Sequence, residues 1–216
     1  MLFVEWEVFD RETVYCPHTG SLAGDRLYSG VLRRICRPAR FTAFADFLRF
    51  RHSVGGFFSA YSGWRGFRAF VQGFDLRFAA VIQAWRWAGL GFLSLYAHGI
   101  LPGLFAFPAG LGDMAIGFSA PAIVLGLIRD SSFATSRRFV LWNIMGIMDL
   151  VVAVSLGAIC SGFLPGLTGT VTTAPMAQFP LIFVPAYLVP LFIMLHATAL
   201  LQARQLVRSE KSVLGH

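Results

Sequence analysis

Beyond residue 67, long apolar stretches of the chain alternate with short polar ones. Four of these stretches approach the roughly 20 apolar residues that a helix needs to cross a bilayer core. They run from about Phe78 to Leu101, Gly112 to Ile128, Phe139 to Phe163 and Pro180 to Ala203. The pattern predicts an all-α membrane protein in which residues 67–203 form a four-helix transmembrane bundle.

Two of the predicted spans contain proline. The second span is short and includes Pro121, so we expect it to tilt, to kink or only just to cross the membrane. The fourth includes Pro185 and Pro190, which a membrane helix tolerates when its neighbours satisfy the freed carbonyl groups.

The segments on either side of the bundle are polar. Residues 1–66 mix arginine, phenylalanine and glycine without sustained periodicity, which predicts a weakly structured or interfacial segment. A short interfacial helix would use apolar and basic residues that stand side by side, Phe41, Phe44 and Leu48 with Arg40, Arg49 and Arg51. An altered start of the reading frame is a third alternative. Residues 204–216 are predicted to form a basic cytosolic tail.

The overall composition agrees with a membrane protein. Only 13% of the residues are charged, 56% are hydrophobic and the mean hydropathy is +0.65, whereas a soluble domain carries about 25% charged residues. The net charge of +7 does not indicate nucleic-acid binding, because the basic residues flank apolar stretches and form no separate basic face. The start MLFVEWEVFDRE does not resemble a signal peptide, so the first span is expected to act as its own signal.

The basic residues predict the orientation of the bundle. They stand before the first span, between the second and third spans, and after the fourth span, and the other two connections contain no lysine or arginine. The residues concerned are Arg65, Arg68, Arg77, Arg129, Arg137, Arg138, Arg204, Arg208 and Lys211. By the positive-inside rule, the N-terminus, the C-terminus and the middle connection lie in the cytosol of a multi-pass protein of the cell membrane.

The first and third spans end in related hexapeptides, GILPGL (99–104) and GFLPGL (162–167). Chance together with the turn chemistry of Gly and Pro explains such a match, and so does a duplication about an axis along the membrane normal. Under either explanation, the hexapeptides mark equivalent positions at the ends of the two spans, from which depth can be counted. Arg86 lies fifteen residues before Leu101, and Asp149 lies fifteen residues before Leu164. At about 1.5 Å of rise per residue, both lie about 22 Å below the outer boundary.

Arg86 and Asp149 are unusual residues for a membrane interior. An aspartate at this depth costs about 2.5–3.5 kcal/mol on insertion scales and is normally paired, protonated or exposed to water. The matching depth favours an Arg86–Asp149 ion pair. The alternatives are a snorkelling Arg86 with a separately protonated Asp149, or other partners for the two residues. His196, Asn143 and Gln83 lie within about two helical turns of the same level. We expect all five residues to form an intramembrane polar cluster.

A second polar group is expected at the outer face, where His98 lies near the end of the first span and Asp113 lies at the start of the second. Asp113 is expected to cap the second helix by accepting hydrogen bonds from its first amides. The motif GLGD (110–113) resembles the G-x-G-D motif of intramembrane aspartyl proteases. That family places its second aspartate before the motif, whereas Asp149 follows it. Asp149 is also predicted to lie about 22 Å deeper, too far for shared-proton chemistry.

No catalytic residue, metal site or cofactor is predicted. The cysteines Cys16, Cys36 and Cys160 form no C-x-x-C pair, and Cys16, His18 and Cys36 supply only a weak metal motif. His98 and His196 are expected on opposite sides of the bilayer, where they cannot hold a haem between them. The G-x-S-x-G, Walker and H-E-x-x-H motifs of common hydrolases and nucleotide-binding proteins are absent from the sequence.

A family resemblance extends over about residues 68–203. Three features carry the resemblance: the stretch QAWRWAGLGFLSLYAHGILPGLFAFPAGLGDMAIGFSAP, the stretch WNIMGIMDL, and a proline-containing last helix with LH. With these features, the region resembles a family of small uncharacterised bacterial multi-pass integral membrane proteins. The resemblance implies an α-helical bundle in the bacterial inner membrane and no particular activity. The family usually has further apolar helices before this region, whereas residues 1–66 are not membrane-like.

Three function classes follow from these residues. An accessory or structural subunit of a membrane complex is favoured, because a single ion pair can be structural and four helices make a thin scaffold for a pore. In such a subunit, small residues would let the helices pack closely against partners. These small residues are Gly89, Gly91, Gly117, Gly126, Gly146 and Gly157. A small-solute or proton-coupled transporter would use the Arg86, Asp149 and His196 cluster. A membrane enzyme would use His98 and Asp113. The expected partners are the lipid bilayer and either another membrane protein or a second copy of the chain.

Overall fold

Three long helices dominate the part of the chain that the computed structural model describes, residues 52–163 and 171–214. In chain order the helices are α1 (residues 52–63), α2 (Arg65–Gly73), α3 (Leu76–Gln83), α4 (Leu90–Ala97), α5 (Gly103–Arg129), α6 (Arg137–Ala158) and α7 (Val189–Leu214). No strand occurs within these residues. The all-α prediction is therefore confirmed for the described ranges.

The long helices have the properties of membrane spans. The segments Gly103–Arg129, Arg137–Ser161 and Val184–Ser209 are long and apolar enough to cross a bilayer. The first predicted span is different, because it consists of α3, the 3₁₀ segment Ala84–Gly89 and α4 in direct succession. Three spans are thus supported by helix length and composition, and the first predicted span is interrupted around Arg86.

The helix α5 begins nine residues earlier than predicted, at Gly103 and not at Gly112. Pro102 stands at its N-cap with extended backbone, and Pro108 and Pro121 lie inside the helix. Glycine and proline commonly end helices in soluble proteins, so the sequence pattern predicts a connection in this stretch. In a membrane helix both residues are tolerated, because neighbouring groups satisfy the freed backbone. Asp113 therefore lies inside a helix, and the predicted N-cap role is wrong.

The buried apolar side chains pack in three layers along the bundle. One layer lies beside the α5–α6 connection and contains Ala80, Ile123, Leu127, Ala134, Phe139, Ala199 and Ala203. The middle layer contains Ala79, Leu150, Val189, Phe192, Ile193 and Leu195. The third contains Leu101, Phe105, Ala106, Ala109, Cys160 and Met176. We call the first layer the basic end, because Arg77, Arg129, Arg137 and Arg204 border it in the chain, and we call the third the apolar end.

The helix α2 packs against the last helix of the bundle. Val71 is buried, and the Gln202 side chain of α7 donates to the carbonyl oxygens of Val71 and Phe74, both at 2.7 Å. Trp64 and Phe70 remain exposed. Part of the predicted N-terminal segment is thus helical, while the proposed interfacial helix around Phe41, Phe44 and Leu48 lies outside the described residues. The predicted tail from residue 204 continues α7 as far as Leu214.

The short connection between α5 and α6 is held by local hydrogen bonds. The hydroxyl and the amide of Ser132 both donate to Asp130 Oδ1 at 2.8 Å. These two bonds stabilise the ionised carboxylate and lower the pKa of Asp130 below its usual value. Ser136 then caps α6 by accepting from the amide of Phe139.

Glycines let the interrupted segment approach α5 closely. A Cβ added at Gly117 would collide with the backbone of Arg86 and Trp87, and one added at Gly89 would lie 2.8 Å from the carbonyl oxygen of Gly110. Gly91, by contrast, has nothing within 4 Å. Of the small residues expected to allow close approach, four do so, Gly89, Gly117, Gly126 and Gly146. Close packing through small residues is how membrane helices associate without a hydrophobic driving force.

We expect Gly117→Ala to destabilise the bundle and Gly91→Ala to leave its stability unchanged or slightly raised. A methyl group at position 117 meets backbone atoms that cannot rotate away, and such overpacking costs about 1–3 kcal/mol. At position 91 the methyl group has open space, and alanine is the better helix former. Thermal unfolding of the two purified variants in detergent measures the difference. Equal melting temperatures would contradict this close contact.

Candidate functional site

Arg86 lies at the centre of the bundle, where only 2% of its surface is exposed. Its Nε donates to Asp113 Oδ1 at 2.7 Å, and its Nη2 donates to Asp149 Oδ2. One guanidinium therefore forms ion pairs with two carboxylates, the first from α5 and the second from α6. The planar fork of donors in arginine suits a double contact of this kind.

The remaining nitrogen of Arg86 begins a chain of hydrogen bonds that reaches α7. Nη1 donates to the carbonyl oxygen of Gly146 at 3.3 Å and to His196 Nε2 at 3.2 Å. Because arginine has no acceptor, His196 Nε2 carries no proton and Nδ1 carries it. Nδ1 then donates to Asn143 Oδ1 at 2.9 Å, and Asn143 Nδ2 donates to the carbonyl oxygen of Phe139. His196 is thus neutral, and both of its ring nitrogens are satisfied.

The charges of this group do not balance. Arg86 carries one positive charge, while Asp113 and Asp149 carry two negative charges when both are ionised. The neutral His196 adds none, so the cluster has a net charge of minus one. An uncompensated charge is costly in apolar surroundings. The second carboxylate must therefore be protonated, face water or lie beside a bound cation.

Two glycines make room for the polar side chains. A Cβ added at Gly112 would collide with the carboxylate of Asp149, and one added at Gly146 would collide with the ring of His196. The Asp149 carboxylate therefore lies directly against α5, and the His196 ring lies directly against α6. Even alanine at either position would displace a member of the cluster.

Asp113 also lines a cavity of about 110 Å³ beside the cluster. Its other walls are mostly apolar and include Phe92, Phe105, Leu150, Val154, Met176 and Val189. Phe105 and Met176 belong to the apolar-end layer, so the cavity extends from Asp113 towards the apolar end.

Irregular backbone forms part of this cavity wall. The π turns Ile159–Phe163 and Val184–Leu188 border it. Thr173 supports the first turn, because its hydroxyl donates to the carbonyl oxygen of Gly157 at 2.6 Å and its amide donates to that of Cys160 at 3.0 Å. Irregular backbone at membrane depth is tolerated where it is buried in protein or lines a cavity.

The opposite side of the cluster, towards the basic end, is closed. Gln83, Asn143 and His196 line a seam with no room for a water molecule, and Trp142 packs edge-on against the His196 ring with centroids 5.2 Å apart. Gln83 Nε2 donates to the carbonyl oxygen of Phe192 at 3.2 Å, while Gln83 Oε1 has no partner among the described residues. The cluster therefore separates a cavity on one side from a closed seam on the other.

The structure brings most of the predicted intramembrane residues together. Arg86 contacts both Asp149 and His196, and Asn143 joins them through His196. Gln83 lies beside Asn143 and His196 in the seam, without a hydrogen bond to either.

His98 and Asp113, the predicted outer-face pair, do not contact each other. His98 is exposed and its ring contacts the carbonyl oxygen of Ser94 at 2.7 Å, one turn earlier in its own helix. Asp113 belongs instead to the interior cluster. One signal in the sequence points to this position, because Asp113 is the sole charged residue in the apolar stretch 103–128. Read as one long span, that stretch places Asp113 near its middle.

The arrangement of Asp113 and Asp149 differs from the paired aspartates of the G-x-G-D proteases, although the two residues lie at one level. Asp113 and Asp149 bind the same guanidinium, so the expected depth difference of about 22 Å is wrong. Protease carboxylates share a proton directly, whereas here Arg86 bridges the two side chains. The arrangement is that of a charge cluster.

Within the described ranges, no group of three or more His, Cys, Asp or Glu side chains is placed to hold a metal ion. The weak candidate set of Cys16, His18 and Cys36 lies outside these ranges. Cys160, the third cysteine, is buried and free.

Residues 48–204 match the domain of unknown function DUF8737. The chain belongs to the DUF8737 family. Neither the curated proteins nor the solved structures include a significant match to the chain. The DUF8737 domain contains every residue of the polar cluster and of the cavity, so both features lie in the family region and not in its flanks.

We expect Arg86→Gln to destabilise the DUF8737 domain strongly. The change removes the positive charge and leaves two carboxylates against each other, and breaking a buried pair costs about 3–5 kcal/mol. Adding Asp113→Asn and Asp149→Asn to it removes the charges altogether and should recover much of the loss. Asp75→Asn is the matched control, because Asp75 is an exposed N-cap and asparagine caps equally well. The melting temperatures of the single variant, the triple variant and the control, each purified in detergent, measure these effects.

A charge exchange, Arg86→Asp with Asp149→Arg, should not restore stability. Position 86 would then place a carboxylate against Asp113, which lies 2.7 Å from Arg86 in the native cluster. The two carboxylates would repel each other inside the buried cluster. Recovery of the native melting temperature in this double variant would show that Asp113 is not part of the cluster.

Proposed function

We propose that this protein is a small-solute transporter of the cell membrane, which couples solute movement to proton binding at the Arg86, Asp113 and Asp149 cluster. The proposal depends mainly on one observation. Asp113 is both an ion-pair partner of Arg86 and a wall residue of the cavity. A solute in that cavity would therefore contact the group whose charge is out of balance.

The unequal charges favour transport over a purely structural role. A structural ion pair needs one carboxylate for one guanidinium, and the second carboxylate adds an unpaired charge that lipid disfavours. Intramembrane carboxylates of this kind often mark proton relays in pumps and transporters. The accessory-subunit function that the sequence favours stays a prediction, which co-purification of a partner from native membranes would test.

The topology of the proposed transporter has four spans with both termini in the cytosol. The interrupted segment Leu76–Ala97 serves as the fourth span, since its two α-helices and its 3₁₀ segment together rise about 36 Å. The basic end faces the cytosol under the positive-inside rule. The cavity then belongs to the outer half of the membrane. The family resemblance supports a bacterial inner membrane as its location.

One side of the cluster is open to a cavity and the other side is closed, which is the asymmetry that an alternating-access transporter requires. In this structure the cavity reaches Asp113 from the apolar end, and the seam at Gln83 and His196 closes the route to the basic end. Transport requires a second conformation with the opposite arrangement. The irregular segments at Ala84–Gly89 and Val184–Leu188 lie where the bundle would have to bend, and broken helices are a recurrent feature of transporter binding sites.

We expect proteoliposomes that contain the protein to move protons when the right class of solute is added outside. A pH-sensitive dye trapped inside the vesicles records the flux for a panel of cationic, zwitterionic, anionic and neutral solutes. For at least one solute class, the internal pH should change about tenfold faster in vesicles with the unaltered protein than in vesicles with the Asp113→Asn variant.

Asp75→Asn is the control in this assay and should behave as the unaltered protein does, because Asp75 is exposed and far along the chain from Asp113. Equal rates for unaltered and Asp113→Asn vesicles with every solute class would overturn the proposal. The accessory-subunit prediction would then become the better account of the same residues.

A further inference from the structure

We infer that the cavity beside Asp113 binds a small organic monocation, an ammonium group attached to a compact apolar body about the size of one aromatic ring. This inference rests on the proposed function, because it names the substrate class of the same site. It depends on the free oxygen of Asp113, on the walls of the cavity and on the charge of the cluster.

Asp113 offers a free acceptor to such a ligand. Its Oδ1 accepts from Arg86, and its Oδ2 accepts no hydrogen bond from the described residues. The side chain is 16% exposed and lines the cavity. A carboxylate oxygen has two lone pairs for hydrogen bonding, and an ammonium group has up to three donors. The ligand head group and Asp113 are therefore complementary in charge and in hydrogen bonding.

The two carboxylates have different roles in this arrangement. The Asp149 carboxylate lies against Gly112 and does not line the cavity. It remains the fixed counter-ion of Arg86. Asp113 is the exchangeable member, because its second oxygen faces no donor within the described part of the chain and its side chain borders the cavity.

The cavity walls select for an apolar body. Phe92, Phe105 and Leu150 form part of a mostly apolar lining, and no basic side chain belongs to it within the described residues. The volume of about 110 Å³ is of the same order as an engineered apolar cavity of about 150 Å³ that binds benzene in another protein. An anionic ligand would place a second negative charge beside Asp113. A cation with one small apolar group therefore fits best.

Ligand and proton compete for one carboxylate in this site. The charged and titratable groups that face Asp113 are Arg86, Asp149 and, through Arg86, His196. A proton on the carboxyl group leaves when the ammonium binds, so the cluster has the same total charge in both states. The ligand affinity should then rise up to tenfold per pH unit while the carboxyl group is protonated, and become constant once it is ionised.

Calorimetric titration of the purified protein tests this inference. The probes share one ring and differ in charge: benzylamine, which is an ammonium at neutral pH, benzyl alcohol and benzoate. We expect benzylamine to bind at least tenfold more tightly than benzyl alcohol, and benzoate not to bind. The protein is held in dodecyl maltoside, so that no aminophospholipid supplies the ammonium group.

Two pairs of variants separate charge from shape. Asp113→Asn should remove the preference for benzylamine over benzyl alcohol, while Asp75→Asn should keep it. Ala153→Leu fills the cavity and should weaken both ligands about equally. Val152→Leu is its neighbour on an exposed position of the same helix and should weaken neither. The Ala153 pair keeps the test valid even if Asp113→Asn fails to fold.

Each outcome decides the inference. Equal binding of benzylamine and benzyl alcohol, or a preference that survives Asp113→Asn, overturns it. Proton flux driven by another solute class, without benzylamine binding, overturns the ligand class and leaves proton-coupled transport standing. Benzylamine binding that depends on Asp113 but produces no flux in vesicles supports the site and overturns the transport function.

Discussion

A buried guanidinium held by two carboxylates is the interaction on which the rest of this bundle depends. Arg86 joins the interrupted first segment to α5 through Asp113 and to α6 through Asp149, and its contact with His196 adds α7. Helices that cross a bilayer gain little from hydrophobic association, and polar contacts and close glycine packing are what hold such helices together. In this chain both occur at the same level, where Gly112 and Gly146 admit the side chains of the cluster.

The sequence predicts part of this cluster because helical rise is nearly constant. Counting fifteen residues back from two similar helix ends places Arg86 and Asp149 at one depth, and the structure brings them together. The second end motif lies mostly in residues 164–170, outside the described ranges, so the duplication itself stays a prediction. The sequence predicts the wrong place for Asp113, because the Gly- and Pro-rich stretch before it is typical of a connection. Turn chemistry learned from soluble proteins fails where lipid surrounds the backbone.

The interruption at Ala84–Gly89 has no comparable signal in the sequence. The segment AWRWAG contains no proline, and its residues alone do not distinguish a 3₁₀ helix from an α-helix. Its shape follows from contacts that are distant in the chain. The backbone of Trp87 lies against Gly117, and the side chain of Arg86 reaches Asp113 and Asp149. A 3₁₀ segment inside a longer helix often marks strain or a hinge, and here it occurs where the guanidinium meets its partners.

The irregular turns of this bundle and its unbalanced charge point to the same site. Breaks in a membrane helix expose backbone groups that must find partners or border a cavity. Here the π turns at Ile159–Phe163 and Val184–Leu188 border the cavity that Asp113 lines, and Thr173 satisfies two of the nearby carbonyl groups. A bundle built only for stability would gain from regular helices and from one carboxylate for one guanidinium. The extra charge raises the folding cost, and its position beside a cavity that irregular backbone borders supports the proposed ligand site.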